Sequence, residues 1–399
     1  MSADAGGIGA GGIGAGGVDA GDAGAGLAVF HRASHNPSFN EIRAATRYGG
    51  ALVDFCVPVN THFPPPEMTE LIRRELPAIL KYYPDDAAVH QGHIAALAGV
   101  PAESVVAANG STEIITALCR DARGPILTDV PTFGRWTDLP GDFGVPAVFV
   151  RRERETGFRL EVDDLIRRVR RHGARTLVVC NPNNPTGAWS TAAEIERLVR
   201  ELSDLDAVIL DESFLDFSGL PSAAPLASRS RNLVVVKSMG KALGWHGIRL
   251  GYAVAHAEAA RRLRLRLPYW NVNGLAAFVL RHMGRFRDAY DASFAEVIRD
   301  REHMLGRLRR VEGLRVYPSA ANFLYCELPG GVSGRRVRDA LLERHGLIVR
   351  ECGNKVGSSE TFLRLAVHPP PAVDRLADAL GEILAEALGA GASPSMGQG

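Results

Sequence analysis

Between Leu233 and Tyr252 the chain reads LVVVKSMGKALGWHGIRLGY, a β-branched run followed by a Gly-punctuated turn. Ser238 lies three residues before Lys241, and Arg249 eight residues after it. A hydroxyl and a guanidinium at that spacing can meet one phosphate while the amine between them stays free to form an imine with a carbonyl cofactor. Solvated charges in a loop after a strand would look the same, so the decision rests on the other polar clusters of the chain.

Four such clusters precede it. Asn109-Gly110-Ser111-Thr112 stands between an apolar run and a helical pattern. It reads either as an N-cap or as a phosphate cup of free backbone N–H groups with hydroxyls added. Phe133 and Trp136, in PTFGRW, offer aromatic faces to a planar ring or simply fill a core. In NPNNPTG, residues 181 to 187, two prolines and a glycine fix the backbone, so an amide side chain can donate to a ring oxygen. Asp211-Glu212 closes the apolar run AVIL, thirty residues before Lys241. A carboxylate there is costly without a positive partner. A protonated ring nitrogen of pyridoxal phosphate would supply one, and so would an arginine.

The elements that must position these residues alternate. Strand-like runs are expected at 104–107, 126–128, 147–150, 176–180, 207–210, 233–236 and 251–254, with helices from Thr112, Val162 and Ala192. Short apolar strands with polar connections and intervening helices predict a mainly parallel sheet covered on both faces, with ligands at its carboxyl edge. Before it, residues 67–82 and 90–97 carry helical spacing, and 28–66 read as a loop-like arm. Later runs at 314–317, 323–326, 347–349 and 362–366, with a helix at 336–344, predict a small α+β domain. The expected organisation is a Gly/Ala-rich disordered tail at 1–27, the arm at 28–66, a large domain at 67–290, a small one at 291–387 and a disordered tail at 388–399. Gly7, Gly9 and Gly12 fit GxGxxG, but no strand precedes them and no helix follows.

Composition narrows the partners. The 399 residues are 46% hydrophobic and 23% charged, with 46 basic against 45 acidic side chains, so no global field favours nucleic acid or an anionic membrane. Five scattered cysteines without a CxxC pair predict neither a metal site nor a disulfide framework, and a cytoplasmic location is expected. No apolar run reaches the roughly 18 to 20 residues of a membrane span.

NPNNPTG, LDESFLDF and SMGKALGWHGIRLGY together resemble the class I/II aminotransferases of pyridoxal phosphate fold type I. The likeness is greatest to the branch holding histidinol-phosphate aminotransferase and threonine-phosphate decarboxylase, over about residues 30 to 385. The resemblance implies that Lys241 carries the cofactor as an imine, Asp211 partners the pyridinium nitrogen, Asn184 donates to the ring hydroxyl oxygen and Phe133 stacks on the ring. It makes Gly110, Ser111, Ser238 and Arg249 phosphate ligands, with Tyr83 contributed by the second subunit of a homodimer. It assigns the substrate carboxylate to Arg364 and gives Arg350 and Asn322 substrate-side places. His35, Asn60 and His62, from the arm, join the candidate anion readers.

This chain departs from the pattern at several points. Phe214 stands where many members have tyrosine, Gly240 precedes the lysine, and the arm reads HNPSFN and NTHF where the decarboxylases have HGGN and an NP-G turn. The segment around Tyr269 to Ala277 resembles the PWSVNALAA of those decarboxylases. Three functions follow, in this order: transamination of an α-amino acid with an anionic side chain, decarboxylation of a phosphorylated or similarly anionic amino acid, and a non-catalytic module, which would be expected to have lost Lys241 or Asp211.

Overall fold

The computed structural model describes residues 28–31 and 37–391. Seven strands form the large sheet: β1 (Val105–Ala108), β2 (Ile126–Val130), β3 (Ala147–Arg151), β4 (Thr176–Cys180), β5 (Ala207–Asp211), β6 (Leu233–Ser238) and β7 (Gly251–Ala255). Their spatial order is β1-β7-β6-β5-β4-β2-β3. Only β7 runs antiparallel to its neighbours. The strand residues alternate between two apolar layers: Leu177, Val179, Val208, Leu210 and Val235 join one cluster, and Val178, Cys180, Ile209, Val234 and Val236 the other. That period of two, with helices on both faces, buries the inner strands, while the edge strand β3 stays partly exposed, and leaves polar residues at the strand ends.

A second sheet of four antiparallel strands, β8 (Arg315–Val316), β9 (Phe323–Glu327), β10 (Arg350–Glu351) and β11 (Phe362–Ala366), has the order β10-β11-β9-β8. The helix Arg287–Leu308 connects the two sheets. Its Tyr290 packs against both cores, whereas Val297, Met304 and Leu308 belong to the second alone. A division of the chain at residue 290 therefore cuts a continuous helix.

The arm differs from a plain loop. Ser38 caps the helix Phe39–Ala45 through a capping box with Glu41, and Val53–Asp54 pairs in parallel with Leu347–Ile348. The C-terminal helix Pro370–Gly391 also outlasts expectation, so residues 388–391, read as tail, are helical. Leu376, Leu380, Ile383 and Leu384 bury one face of this helix. The Gly-rich tract and its GxGxxG lie outside the described residues, as does His35. Among the described residues all five cysteines are free and buried, and no helix is long and apolar enough to cross a membrane.

Candidate active site

The carboxyl edge of the large sheet gathers the candidates of four strand ends. Phe133, Cys180, Pro182, Asn184, Asp211, Ser213, Phe214 and Lys241 line one cleft with ≈ 250 Å³ of empty space. Lys241 reaches it from the single turn Met239–Ala242 that follows β6. Arg249 reaches the same edge because β7 is antiparallel: Ser238 pairs with Gly251, so the residues just before β7 return to where β6 ends.

Asp211 is 4% exposed, and its carboxylate is held on both oxygens. Trp136 donates its indole N–H to Oδ2 at 2.9 Å, and the Ser213 backbone N–H donates to Oδ1 at 3.1 Å. Trp136 is thus an orienting donor, while Phe133 alone of the PTFGRW aromatics lines the cleft. Asn184 Oδ1 accepts from Arg364 Nη1 at 2.8 Å, which turns its Nδ2 donor group away from Arg364 and leaves it for a ring oxygen. The rest of NPNNPTG is scaffolding. Asn183 Nδ2 donates to the Pro131 carbonyl at 2.9 Å and to Thr186 Oγ1 at 2.8 Å, while Asn181 Nδ2 donates to the Ser190 carbonyl at 3.1 Å.

The phosphate cup is defined by what cannot fit in it. Gly110, the N-cap of the helix Ser111–Asp121, has φ +84° and no capping side chain. A β-carbon there would collide with the guanidinium of Arg249. A β-carbon on Gly251 would collide with the backbone N of Ser111. Arg249 and the open N–H groups of that helix are consequently neighbours, a donor set suited to a phosphate dianion. Arg249 itself holds φ +55°, a left-handed conformation that a non-glycine residue keeps only where surrounding structure enforces it. Part of that enforcement was not legible beforehand: Asn273 Nδ2 donates to the Ile248 carbonyl at 2.9 Å and to Asn109 Oδ1 at 3.3 Å, and Asn271 Nδ2 donates to Glu113 Oε2 at 2.8 Å.

Lys241 Nζ stands 4.8 Å from the centre of the Phe214 ring. Burial, aided by the charges of Arg364 and Arg249 and opposed by Asp211, brings its pKa down from 10.5 to about 8. The amine therefore gives up its proton far more readily than an ordinary lysine, as an imine-forming residue must.

On the other wall, Arg350 and Arg364 are directly paired across β10 and β11, and both are buried. Arg364 also donates to the Cys56 carbonyl at 2.7 Å, and its Nε has no partner. Arg350 donates to Asn354 Oδ1 at 2.6 Å. Asn322 is fully buried with both side-chain polar atoms unpartnered.

Two arm residues have polar partners within the chain. Asn60 donates its backbone N–H to the Lys241 carbonyl at 2.8 Å and its side-chain Nδ2 to Ser293 Oγ at 2.7 Å and the Ala242 carbonyl at 3.0 Å. Its Oδ1 accepts from the His62 N–H at 3.0 Å. With both side-chain polar atoms committed, Asn60 ties the arm to the lysine turn. His62 Nε2 lies 2.6 Å from Asp300 Oδ2, a carboxylate that occupies the nitrogen an anion would need. Tyr83 is 80% exposed and stacks on Trp270 at 4.8 Å, so within one chain it does not enter the cleft.

Residues 51–380 match the family model for aminotransferase class I and II. The chain belongs to the class I and II aminotransferase family. Members of this family carry pyridoxal phosphate, and the residues present fit it: an anchored carboxylate, an amide donor, a low-pKa lysine and a cup closed to β-carbons. Similar proteins include the CMP-5'-(3-aminopropyl)phosphonate synthase of Streptomyces rubellomurinus, 35% identical over 88% of this chain and 56% of that protein. The chain thus spans a little over half the length of that relative. The L-serine phosphate decarboxylase of Sulfurospirillum multivorans is 28% identical over 84% of this chain and 88% of its own length. A histidinol-phosphate aminotransferase of Synechococcus is 34% identical, covering 76% and 84%. Among solved structures, a decarboxylase from Sulfurospirillum multivorans superposes with a TM-score of 0.81 at 27% identity, covering 88% of this chain and 93% of that one. These relatives include aminotransferases and decarboxylases alike.

Proposed function

We propose that this chain decarboxylates an α-amino acid bearing a distal phosphate or phosphonate, using pyridoxal phosphate. The observation that carries the anionic substrate class is the cross-strand pair Arg350 and Arg364, two buried guanidiniums, one of them bonded to Asn184 of the cleft. One guanidinium suits the α-carboxylate and the other a second anion. The likeness to a serine phosphate decarboxylase in sequence, and to a decarboxylase in fold, favours loss of carbon dioxide. It reverses the order expected from the motifs alone. Transamination of the same substrates is the second reading, supported by the histidinol-phosphate aminotransferase relatives.

Bound pyridoxal phosphate supplies an electron sink for the pair left when a bond at the substrate's α-carbon breaks. Asp211, fixed by Trp136 and Ser213, would hold the ring nitrogen, Asn184 the ring oxygen, and Gly110, Ser111, Ser238 and Arg249 the phosphate. Arg364 grips the α-carboxylate, and Phe133, Phe214 and Phe323 keep water from the reacting carbon. Lys241 Nζ, once it has taken the proton that the substrate's ammonium group gives up on binding, would donate that proton to the α-carbon in place of the departing carbon dioxide. In transamination the same amine removes the α-proton instead.

Incubating the holoenzyme with O-phospho and phosphonate amino acids, and assaying carbon dioxide against 2-oxo acid, tests the choice. Stoichiometric carbon dioxide and amine are expected. An oxo acid that forms only with an amino acceptor would transfer the assignment to the second reading.

We also propose a homodimer in the cytoplasm. Leu80, Tyr82, Tyr83, Leu265, Tyr269 and Trp270 are all more than half exposed on this chain, an apolar set that a second copy would cover while bringing Tyr83 to its neighbour's site. Sedimentation of the purified protein should give twice the 42.8 kDa of the chain. A monomeric, fully active enzyme would refute the shared site.

A further inference from the structure

A third cation borders the substrate wall. After β10 the chain turns through residues 352–361 before β11 begins, and the turn is pinned from several sides. The Lys355 N–H donates to the Cys352 carbonyl at 3.1 Å, the Ser358 N–H to the Lys355 carbonyl at 3.0 Å, and Ser358 Oγ meets the Tyr325 hydroxyl at 2.7 Å. Asn354 receives the Arg350 guanidinium. The tip crosses to the large sheet at Gly357, φ +81°, where a β-carbon would stand 2.9 Å from Val130 Cγ2 and 3.1 Å from the Pro131 nitrogen.

This crossing delivers Lys355 to the cofactor side of the cleft. Its Nζ lies 3.8 Å from the point where a β-carbon on Gly134 would stand, and Gly134 directly follows Phe133. Asp138 Oδ2 lies 3.4 Å from the same point, and its charge acts on Lys355. Burial, with the charges of Arg350 and Arg364, brings the Lys355 pKa from 10.5 to about 8. Three cations thus act on one another at this turn, with Asp138 the carboxylate beside Lys355, and a dianion would relieve their mutual repulsion.

We propose that Lys355 is a specificity-determining residue that reads the distal dianion of the substrate together with Arg350, leaving Arg364 to the α-carboxylate. This deepens the anionic-substrate reading and rests on it. A lysine that merely packs beside Gly134 would contribute to stability without distinguishing substrates. A lysine that faces the dianion contributes to discrimination first.

The test compares wild-type holoenzyme with Lys355→Met and Lys355→Arg. O-phospho-L-serine and L-serine are each titrated by cofactor absorbance and assayed for turnover, with inorganic phosphate as a competing probe. Lys355→Met should lower the kcat/KM ratio of phosphoserine over serine about 10- to 100-fold, and should weaken equilibrium binding of phosphoserine and inhibition by phosphate in parallel. Lys355→Arg should restore most of the ratio, and the cofactor dissociation constant should stay within about twofold, as a charge contact made only with substrate requires. A wild-type preference for phosphoserine that survives in Lys355→Met, or an equal loss for both substrates, overturns the role of Lys355 alone. A wild-type enzyme that neither prefers phosphoserine nor binds inorganic phosphate overturns the substrate class, and this role with it.

Discussion

The two walls of the cleft are built on opposite principles. On the large-sheet wall the key polar groups are already partnered: Asp211 by Trp136 and Ser213, Asn184 by Arg364, and the Arg249 turn by Asn273. On the small-sheet wall Asn322 has no partner for either side-chain atom, Arg364 leaves Nε free, and Arg350, Arg364 and Lys355 crowd positive charge together. A resident cofactor rewards donors fixed in advance, whereas a substrate that comes and goes must bring the charges that satisfy its own wall.

Substitutions on the first wall should damage cofactor binding and chemistry, and those on the second should damage discrimination. The largest effect is expected for Lys241→Ala, with turnover reduced by roughly 10²–10⁴-fold or below detection and the protein still folded by circular dichroism. Normal turnover would refute the central assignment. Gly110→Ala combines a disfavoured φ with a collision at Arg249 and should weaken the cofactor by about 10- to 100-fold in an absorbance titration. Its ratio of phosphorylated to unphosphorylated substrate turnover should not move.

Trp136→Phe keeps an aromatic ring, though a smaller one, and removes a hydrogen bond to the Asp211 carboxylate, for which a loss of about tenfold in cofactor affinity is expected. An unchanged affinity would mean that Ser213 alone suffices to orient Asp211. Asn60→Ala probes the boundary between the walls. Because its polar groups serve the fold, it should cost about 1–3 kcal/mol in denaturant unfolding and leave the substrate KM within about twofold. A selective rise in KM would return Asn60 to the substrate.

The pH dependence of the cofactor-free protein supplies the smallest and most diagnostic signal. Lys241 and Lys355 both have folded pKa values near 8 against an ordinary 10.5, so between those values the unfolded chain binds more protons than the folded one. Stability should rise with pH across that window, with the full penalty present below it. Each of Lys241→Ala and Lys355→Met should flatten part of the rise in urea titrations.

Much of the first wall was legible because it is made of short local motifs at strand ends. The runs TLVVC and LVVVKS are strands by their β-branched content, and the polar residues that follow them can lie only at the carboxyl edge of the sheet. What escaped is long-range. Trp136 reaches Asp211 across 75 residues, and nothing local separates an indole that stacks from one that donates. The partners of Asn60 escaped as well, because a loop asparagine near the site looks the same whether its amide is committed to Ser293 and Ala242 or free.

By itself the sequence determined the family and its cofactor, because NPNNPTG, LDESFLDF and SMGKALGWHGIRLGY together resemble its motif set, and that resemblance is what singles out Lys241, Asp211, Asn184 and Gly110. Tertiary structure alone decided which polar groups are already satisfied. Hydrogen bonds from Arg364 to Asn184, and the packing that delivers Lys355 beside Gly134, join segments more than a hundred residues apart. Side-chain type fixes what a group can donate or accept, but only the fold fixes whether that capacity is spent.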